Sequence, residues 1–244
     1  MSPDRALPLW SMVLEQAAGT PVTVGHVCAA VVRVTGVDGS SVALTTSSPV
    51  REAVYASDET AARVEELTLT LGEGPSIDAL RLGEPVLSAD MAGTVARSRW
   101  PLFASEAVAV GVQAVFALPL RIGVIHLGVL TTYRRRSGDL IRRQVSDGLA
   151  LADILCLLLL DGTDPAVDTP LPEADDAEEV RYPEVHQATG MITVQLGVTA
   201  EIAFARLRAF AFAHNRRLRD VARDVVARRL RFEPDSDDDY ACGR

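Results

Sequence analysis

The residue types that carry enzyme chemistry are present in this chain of 244 residues, but not in working arrangements. Its four histidines, His26, His126, His186 and His214, stand far apart, with no HxxxH or HExxH spacing to hold a metal. Cys28, Cys156 and Cys242 form no CxxC pair. Cys28 and Cys156 lie in apolar runs, where a buried reduced thiol is expected, as suits a reducing cytoplasm. The loop Gly72-Glu73-Gly74 lacks the Lys-Ser/Thr that a phosphate-cradling loop needs. His26 and His126 sit in apolar segments and read as satisfied core residues rather than ligands. No catalytic constellation, metal site or evident cofactor follows from the sequence, and the chain is not expected to be an enzyme.

The chemistry that does stand out is electrostatic. The whole chain carries a net charge of −9, yet Arg181 to Phe232 holds ten arginines against four acids. Every basic residue is Arg, whose planar fork matches phosphate. A small basic unit inside an acidic chain fits a polyanionic partner. On charge alone, a solvated helix face laced with pairs such as Asp220–Arg223 and Asp224–Arg228 fits equally well.

Three helices must position these arginines. Apolar periodicity predicts the first over 185–196, with Gly197 free to take the left-handed cap. The second is expected over 199–214, with Thr199 at its N-cap and Glu201 in its first turn. The third is expected over 218–230, its apolar line being Leu218, Val221, Ala222, Val225, Val226 and Arg229. In the second helix, Phe204, Arg208 and Phe212 make one line, and Leu207, Phe210, Ala211 and His214 the next. One line must face the core. Aromatics beside Arg can also stack exposed bases, as single-stranded RNA loops require.

These residues resemble a known family. Ala188-Thr189-Gly190-Met191, Leu196-Gly197-Val198, Ala203, Leu207-Arg208, Ala211-Phe212-Ala213, Leu218 and Val221-Ala222 look like the ANTAR domain. The resemblance implies a three-helix unit that binds hairpin loops of nascent transcripts and promotes antitermination. The RNA-binding residues expected on this chain are Arg208, Phe212, His214, Asn215, Arg216, Arg217 and Arg219. Ala188 and Gly190 join them as small residues that let helices approach closely.

The first 160 residues read as an α+β unit. Residues 8–34 form an amphipathic helix broken at Gly19-Thr20-Pro21. Strands follow over 41–46 and 52–56, then a helix capped by Ser57 and running to about residue 67. The Gly/Pro loop 71–75 leads to a helix over 76–82 and a strand over 85–88. Residues 91–99 read as irregular, and Trp100-Pro101 opens a helix ending near Gly111. A hairpin over 113–120 and 124–132 and a closing helix over 139–160 complete the unit. Leu71-Gly72-Glu73-Gly74-Pro75, Arg99-Trp100-Pro101, the run from Gly111 to Leu120 and Leu127-Gly128-Val129-Leu130 resemble a GAF domain of the kind found beside ANTAR domains in actinobacteria. The fold implied is an antiparallel sheet flanked by helices, followed by the small all-α unit. The role implied is that of a sensor, with an unidentified small-molecule ligand.

The expected organisation is a sensor over 8–160, an acidic Pro-containing linker over 161–179, the RNA-binding unit over 180–232 and an acidic tail over 233–244. The linker holds eight acids and no base. It serves as a spacer or competes with RNA for the Arg face. Pro183 interrupts any long helix running upstream from the basic unit, so homodimerisation is expected through the sensor helices 8–18 and 139–160. The N-terminus has no signal-peptide pattern, and the longest apolar run, Leu149–Leu160, is too short to span a bilayer. A cytoplasmic regulator that acts on transcription without membrane contact is expected. Two rival readings stay open: a DNA-binding regulator using the same helices, and a small-molecule-binding GAF module with a C-terminal assembly bundle.

Overall fold

The computed structural model describes residues 3–46, 48–161 and 182–233, with side chains from Leu7 onward. The expected linker beyond Asp161, Arg181, the tail beyond Glu233 and Cys242 lie outside the described residues. The chain divides into two compact units, Met1–Thr46 with Arg51–Arg181, and Ser47–Val50 with Tyr182–Arg244.

The first unit opens with α1 (Pro3–Ala17) and α2 (Val24–Thr35). The expected break holds, because Gly19 takes a φ of 86° and Pro21 cannot continue a helix. His26 lies at the start of α2, where the Thr23 N–H donates to its Nδ1 at 3.1 Å. It is a half-buried capping residue rather than a core one. β1 (Gly39–Leu44) and β2 (Glu52–Ala56) lead to α3 (Glu59–Leu71). The cap of α3 is Asp58, not Ser57: Asp58 Oδ1 accepts from the Ala61 N–H at 2.9 Å. Ser57 supports it, donating to Asp58 Oδ2 at 2.7 Å.

Next come α4 (Pro75–Leu82), β3 (Val86–Ser88), α5 (Thr94–Arg99), α6 (Pro101–Ala109), β4 (Ala114–Ile122), β5 (Ile125–Arg134) and α7 (Arg142–Asp161). Within 91–99, expected to be irregular, α5 is a short helix. The five strands form one antiparallel sheet in the order β2-β1-β5-β4-β3.

Strand alternation splits the sheet into two unlike faces. Val42, Val54, Leu118, Leu120 and Leu130 point to one face and join α1, α2 and α7 in the main apolar core. The other face carries polar groups that α3 and α4 satisfy. The Ser41 hydroxyl donates to Glu65 Oε1 at 2.9 Å, and Ser76 and Thr131 share a hydrogen bond of 2.9 Å, all four residues being buried. Strand β1, second from the sheet edge, is thus covered on both sides.

Two side chains fix the loops around α4 and α6. Glu73 Oε1 accepts from the backbone N–H groups of Leu102 and Phe103, at 2.7 and 2.8 Å, and so caps α6 from outside its own sequence. Gly74 sits at φ 129°, with the Phe103 ring 3.1 Å from where a Cβ would be. Asp78 gathers Arg99 Nε at 2.6 Å, Arg81 Nη2 at 2.9 Å and Trp100 Nε1 at 3.1 Å. The Gly-Glu-Gly and Arg-Trp-Pro motifs are therefore parts of one joint that holds helices in place.

The second unit holds α8 (Pro183–Leu196), α9 (Ala200–Ala213) and α10 (Leu218–Val226). Pro183 occupies the first helical position, where a missing N–H costs nothing. Gly197 ends α8 at φ 64°, and the Thr199 hydroxyl accepts from the Ile202 N–H at 3.5 Å. The third helix is shorter than its periodicity predicts. It stops at Val226, and Arg228 turns the chain at φ 59°. Val185, Ala188 and Ile192 of α8, Ala203, Phe204, Leu207 and Ala211 of α9, and Leu218, Val221, Ala222 and Val225 of α10 supply the shared core.

Among the described residues, no single helix is long and apolar enough to cross a membrane. No group of three or more His, Cys, Asp or Glu could hold a metal ion there. Cys28 and Cys156 are buried thiols outside any disulfide, and burial, with Asp153 nearby, pushes the Cys156 thiol up to about 11.

Candidate nucleic-acid interface

The end of α9 and the turn into α10 bring five of the expected residues together. Phe212, His214, Asn215, Arg216 and Arg217 are consecutive but for Ala213, and all are exposed. Phe212 keeps 54% of its surface open, a large fraction for an aromatic side chain next to a packed core. Asn215 makes the turn possible by taking a φ of 49°, a left-handed conformation that Asn tolerates better than most residues. Ala211 accepts the Arg216 N–H at 2.9 Å and closes the turn.

His214 is held by its own helix. Its ring stacks on Phe210 with centroids 3.9 Å apart and planes 19° from parallel. Its Nδ1 lies 2.9 Å from the Phe210 carbonyl oxygen. The ring is thereby fixed while the residue stays exposed, which suits a surface that receives a flat partner.

The arginines divide into three kinds. Arg217, at the N-cap of α10, is exposed and makes no ion pair among the described residues. Arg216 is exposed but donates through Nη2 to Asp224 Oδ2 at 2.6 Å. The same carboxylate takes Arg229, at 2.8 Å from Nε and 2.7 Å from Nη2. Hydrogen bonds from Arg216 and then Arg229 hold the Asp224 carboxyl below its usual range. Arg219 faces inward and donates through Nε to Glu184 Oε1 at 2.6 Å, with Arg223 Nε at 3.2 Å from the same atom. Burial pushes the Glu184 carboxyl up, but its own backbone N–H, Arg219 and Arg223 outweigh that and hold it below its usual range.

The other expected residues take different surroundings. Arg219 is occupied in joining α8 to α10 and is half-buried. Ala188 is fully buried and packs between helices, the close approach expected of a small residue there. Gly190 is exposed, and a Cβ there would meet open space, so it permits no close helix approach. The two lines on α9 do not separate into core and surface. Phe204 is 5% exposed and Phe212 54%, because i to i+8 leaves side chains about 80° apart around a helix. Arg208 is half-buried, with its guanidinium 5.6 Å from the Phe204 ring centroid. Sequence reasoning missed the partners that Glu184, Asp224, Glu73 and Asp78 take, since Arg219, Arg216, the α6 backbone and Arg99 stand outside helical pair spacing from them.

The family model of the ANTAR domain matches residues 182–226. A search of curated proteins found no match. Among solved structures, the chain is similar to the GAF domain of a phosphoenolpyruvate-protein phosphotransferase from Coxiella burnetii. That match has 16% identity and a TM-score of 0.48 and covers 66% of this chain and 96% of that one. It is also similar to the GAF domain of the corresponding Acinetobacter protein, at 13% identity, with 70% and 100% covered and a TM-score of 0.47. Helices α8 to α10 thus fall in the segment that matches the ANTAR domain model.

Proposed function

We propose that this protein is an RNA-binding transcription antiterminator, in which the GAF-like unit senses a signal and the ANTAR domain binds hairpin loops of nascent transcripts. The observation that carries this reading is the exposed run Phe212, His214, Asn215, Arg216 and Arg217, which lies within the segment that matches the ANTAR domain. Two aromatic faces and two guanidiniums on one turn combine stacking with phosphate contact, the pairing that single-stranded loops need. Arg208 adds charge one to two turns earlier on the same helix. The protein works in the cytoplasm, where transcripts are made.

The resemblance of Leu71-Gly72-Glu73-Gly74-Pro75 and Arg99-Trp100-Pro101 to GAF motifs supports a ligand-sensing role for the first unit. The ligand is a small molecule of unknown class. The exposed apolar residues Leu7, Trp10 and Leu14 of α1 and Leu157 and Leu160 of α7 support a homodimer through those helices.

A DNA reading would need α10 to present its basic residues to a groove. Arg219 and Arg223 instead turn to Glu184. The test is binding of the full-length protein to an RNA of two hairpins across a salt series, with duplex DNA as competitor. The RNA is expected to win, with affinity falling steeply as salt rises. Displacement by duplex DNA at equal salt would overturn the reading.

A further inference from the structure

We propose that residues 227–232, which lie beyond the stretch matching the ANTAR domain, form a second wall of the RNA site. In this strap Phe232 positions the His214 ring, and Arg228 and Arg231 take backbone phosphates. The inference rests on the RNA reading above and extends it to a segment that the family match does not cover.

The strap has a defined path. After α10 ends, the backbone N–H groups of Arg229 and Leu230 both donate to the Asp224 carbonyl, at 2.8 and 3.1 Å. Arg228 takes the left-handed conformation that this reversal requires, although it has a Cβ. The chain then runs back across the helices, and the Phe232 N–H donates to Gln195 Oε1 of α8 at 2.9 Å. The Phe232 ring meets Phe210 of α9 edge-on, with centroids 5.5 Å apart and planes at 64°.

Two independent links hold the strap beside the 214–217 turn. The first is aromatic: Phe232 abuts Phe210, and Phe210 carries the His214 ring on its face. The second is ionic: Arg229 of the strap and Arg216 of the turn grip the same carboxylate, Asp224. Arg228 and Arg231 are exposed, and neither makes an ion pair among the described residues. Asp224, the carboxylate shared by the strap and the turn, is already flanked by two guanidiniums. A base stacked on His214 would thus have guanidiniums on both sides, from Arg216 and Arg217 on the turn and from Arg228 and Arg231 on the strap. Phe232 touches no RNA in this arrangement. It acts through Phe210 as a positioning residue.

The experiment uses the full chain. An RNA of two hairpins with randomised loops is enriched by selection on the wild-type protein, and binding is then followed by fluorescence anisotropy across a salt series. The Arg228→Gln/Arg231→Gln protein should lower the slope of log affinity against log salt by about two, one for each lost phosphate contact. Phe232→Ala should weaken binding about tenfold or more, on the scale of a lost stacking platform, and Phe232→Tyr should restore it. If Phe232→Ala melts the three-helix unit, the double Arg variant, altered only at exposed positions, decides alone. Unchanged affinity and slope in that variant, while Arg217→Ala weakens binding, would overturn the strap and leave the RNA reading intact. Failure of the wild-type protein to enrich any RNA would overturn both.

Discussion

Arg219 donates its Nε hydrogen to Glu184 Oε1 at 2.6 Å, which joins the first turn of α8 to the first turn of α10. The two residues lie 35 positions apart in the chain. The pair is mostly shielded, with 28% and 13% of the side chains exposed. A guanidinium that reads as a phosphate contact is therefore part of the fold, and the basic surface is smaller than the count of arginines suggests.

Replacing Glu184 by Gln should lower the stability of the three-helix unit at pH 7 by about 1–2 kcal/mol, the scale of a charged hydrogen bond in a partly shielded site. The folded carboxyl lies below its ordinary value of 4.5, so the unfolded state binds the proton more readily. The pair contributes fully above that value and is lost as pH falls through the depressed folded value. The wild-type unit should therefore lose stability below about pH 4.5, and Glu184→Gln should show a shallower loss. Hydrogen exchange of amides 182–233 in the full chain measures both. Equal slopes in the two proteins would show that Glu184 does not govern the acid response.

Arg217 and Arg219 should separate cleanly. Arg219→Ala strands the Glu184 carboxylate with only Arg223 and should lower the melting temperature before any RNA is added. Arg217→Ala removes an exposed group and should change stability by no more than about 0.5 kcal/mol. It should nevertheless weaken RNA binding and reduce the salt slope by about one. Melting curves and anisotropy on the same two proteins make the comparison. The assignment of the turn fails if Arg217→Ala binds RNA as the wild type does.

The readable parts of this chain were those with local punctuation. Pro183, Gly197 and Thr199 mark helix ends through backbone requirements that no distant partner alters. The hairpin of β4 and β5 followed from its β-rich runs. What escaped depends on partners outside local helical spacing. Asp224 was expected to pair with Arg228, four residues on, but Arg228 turns out of the helix at φ 59°. Arg216 and Arg229 take the carboxylate instead. The cap of α3 fell to Asp58 rather than Ser57 because Ser57 accepts the Ser40 N–H at 2.9 Å, a contact set by strand pairing. Helix α5 follows Gly93 and is too short for periodicity to reveal.

Phe212→Ala tests whether the exposed aromatic is functional. At 54% exposure the ring contributes little to the core, so the change in stability should stay within about 0.5 kcal/mol. If a base stacks on it, RNA affinity should fall by about 1–3 kcal/mol. Phe204→Ala is the contrast. That ring is 5% exposed, and its loss should cost about 3–5 kcal/mol of stability. Thermal melts and RNA titrations of both variants should give opposite patterns. A Phe212→Ala protein that binds RNA unchanged would remove this ring from the interface.

Gly190→Ala separates a packing role from a contact role. Gly190 lies inside α8, is exposed and has open space where a Cβ would stand. Glycine in a helix interior lowers stability by about 0.5–1 kcal/mol relative to alanine. The substitution should therefore stabilise the three-helix unit by about that amount. Were Gly190 a point of close helix approach, the added methyl would clash and the melting temperature would fall. The remaining role for a bare backbone at this position is to admit a partner closely. In that case Gly190→Ala would raise the melting temperature and weaken RNA binding together, a combination that neither a packing defect nor a neutral surface change produces. Melting and anisotropy on the one variant decide it. A stabilised protein with unchanged RNA affinity would remove Gly190 from the interface altogether.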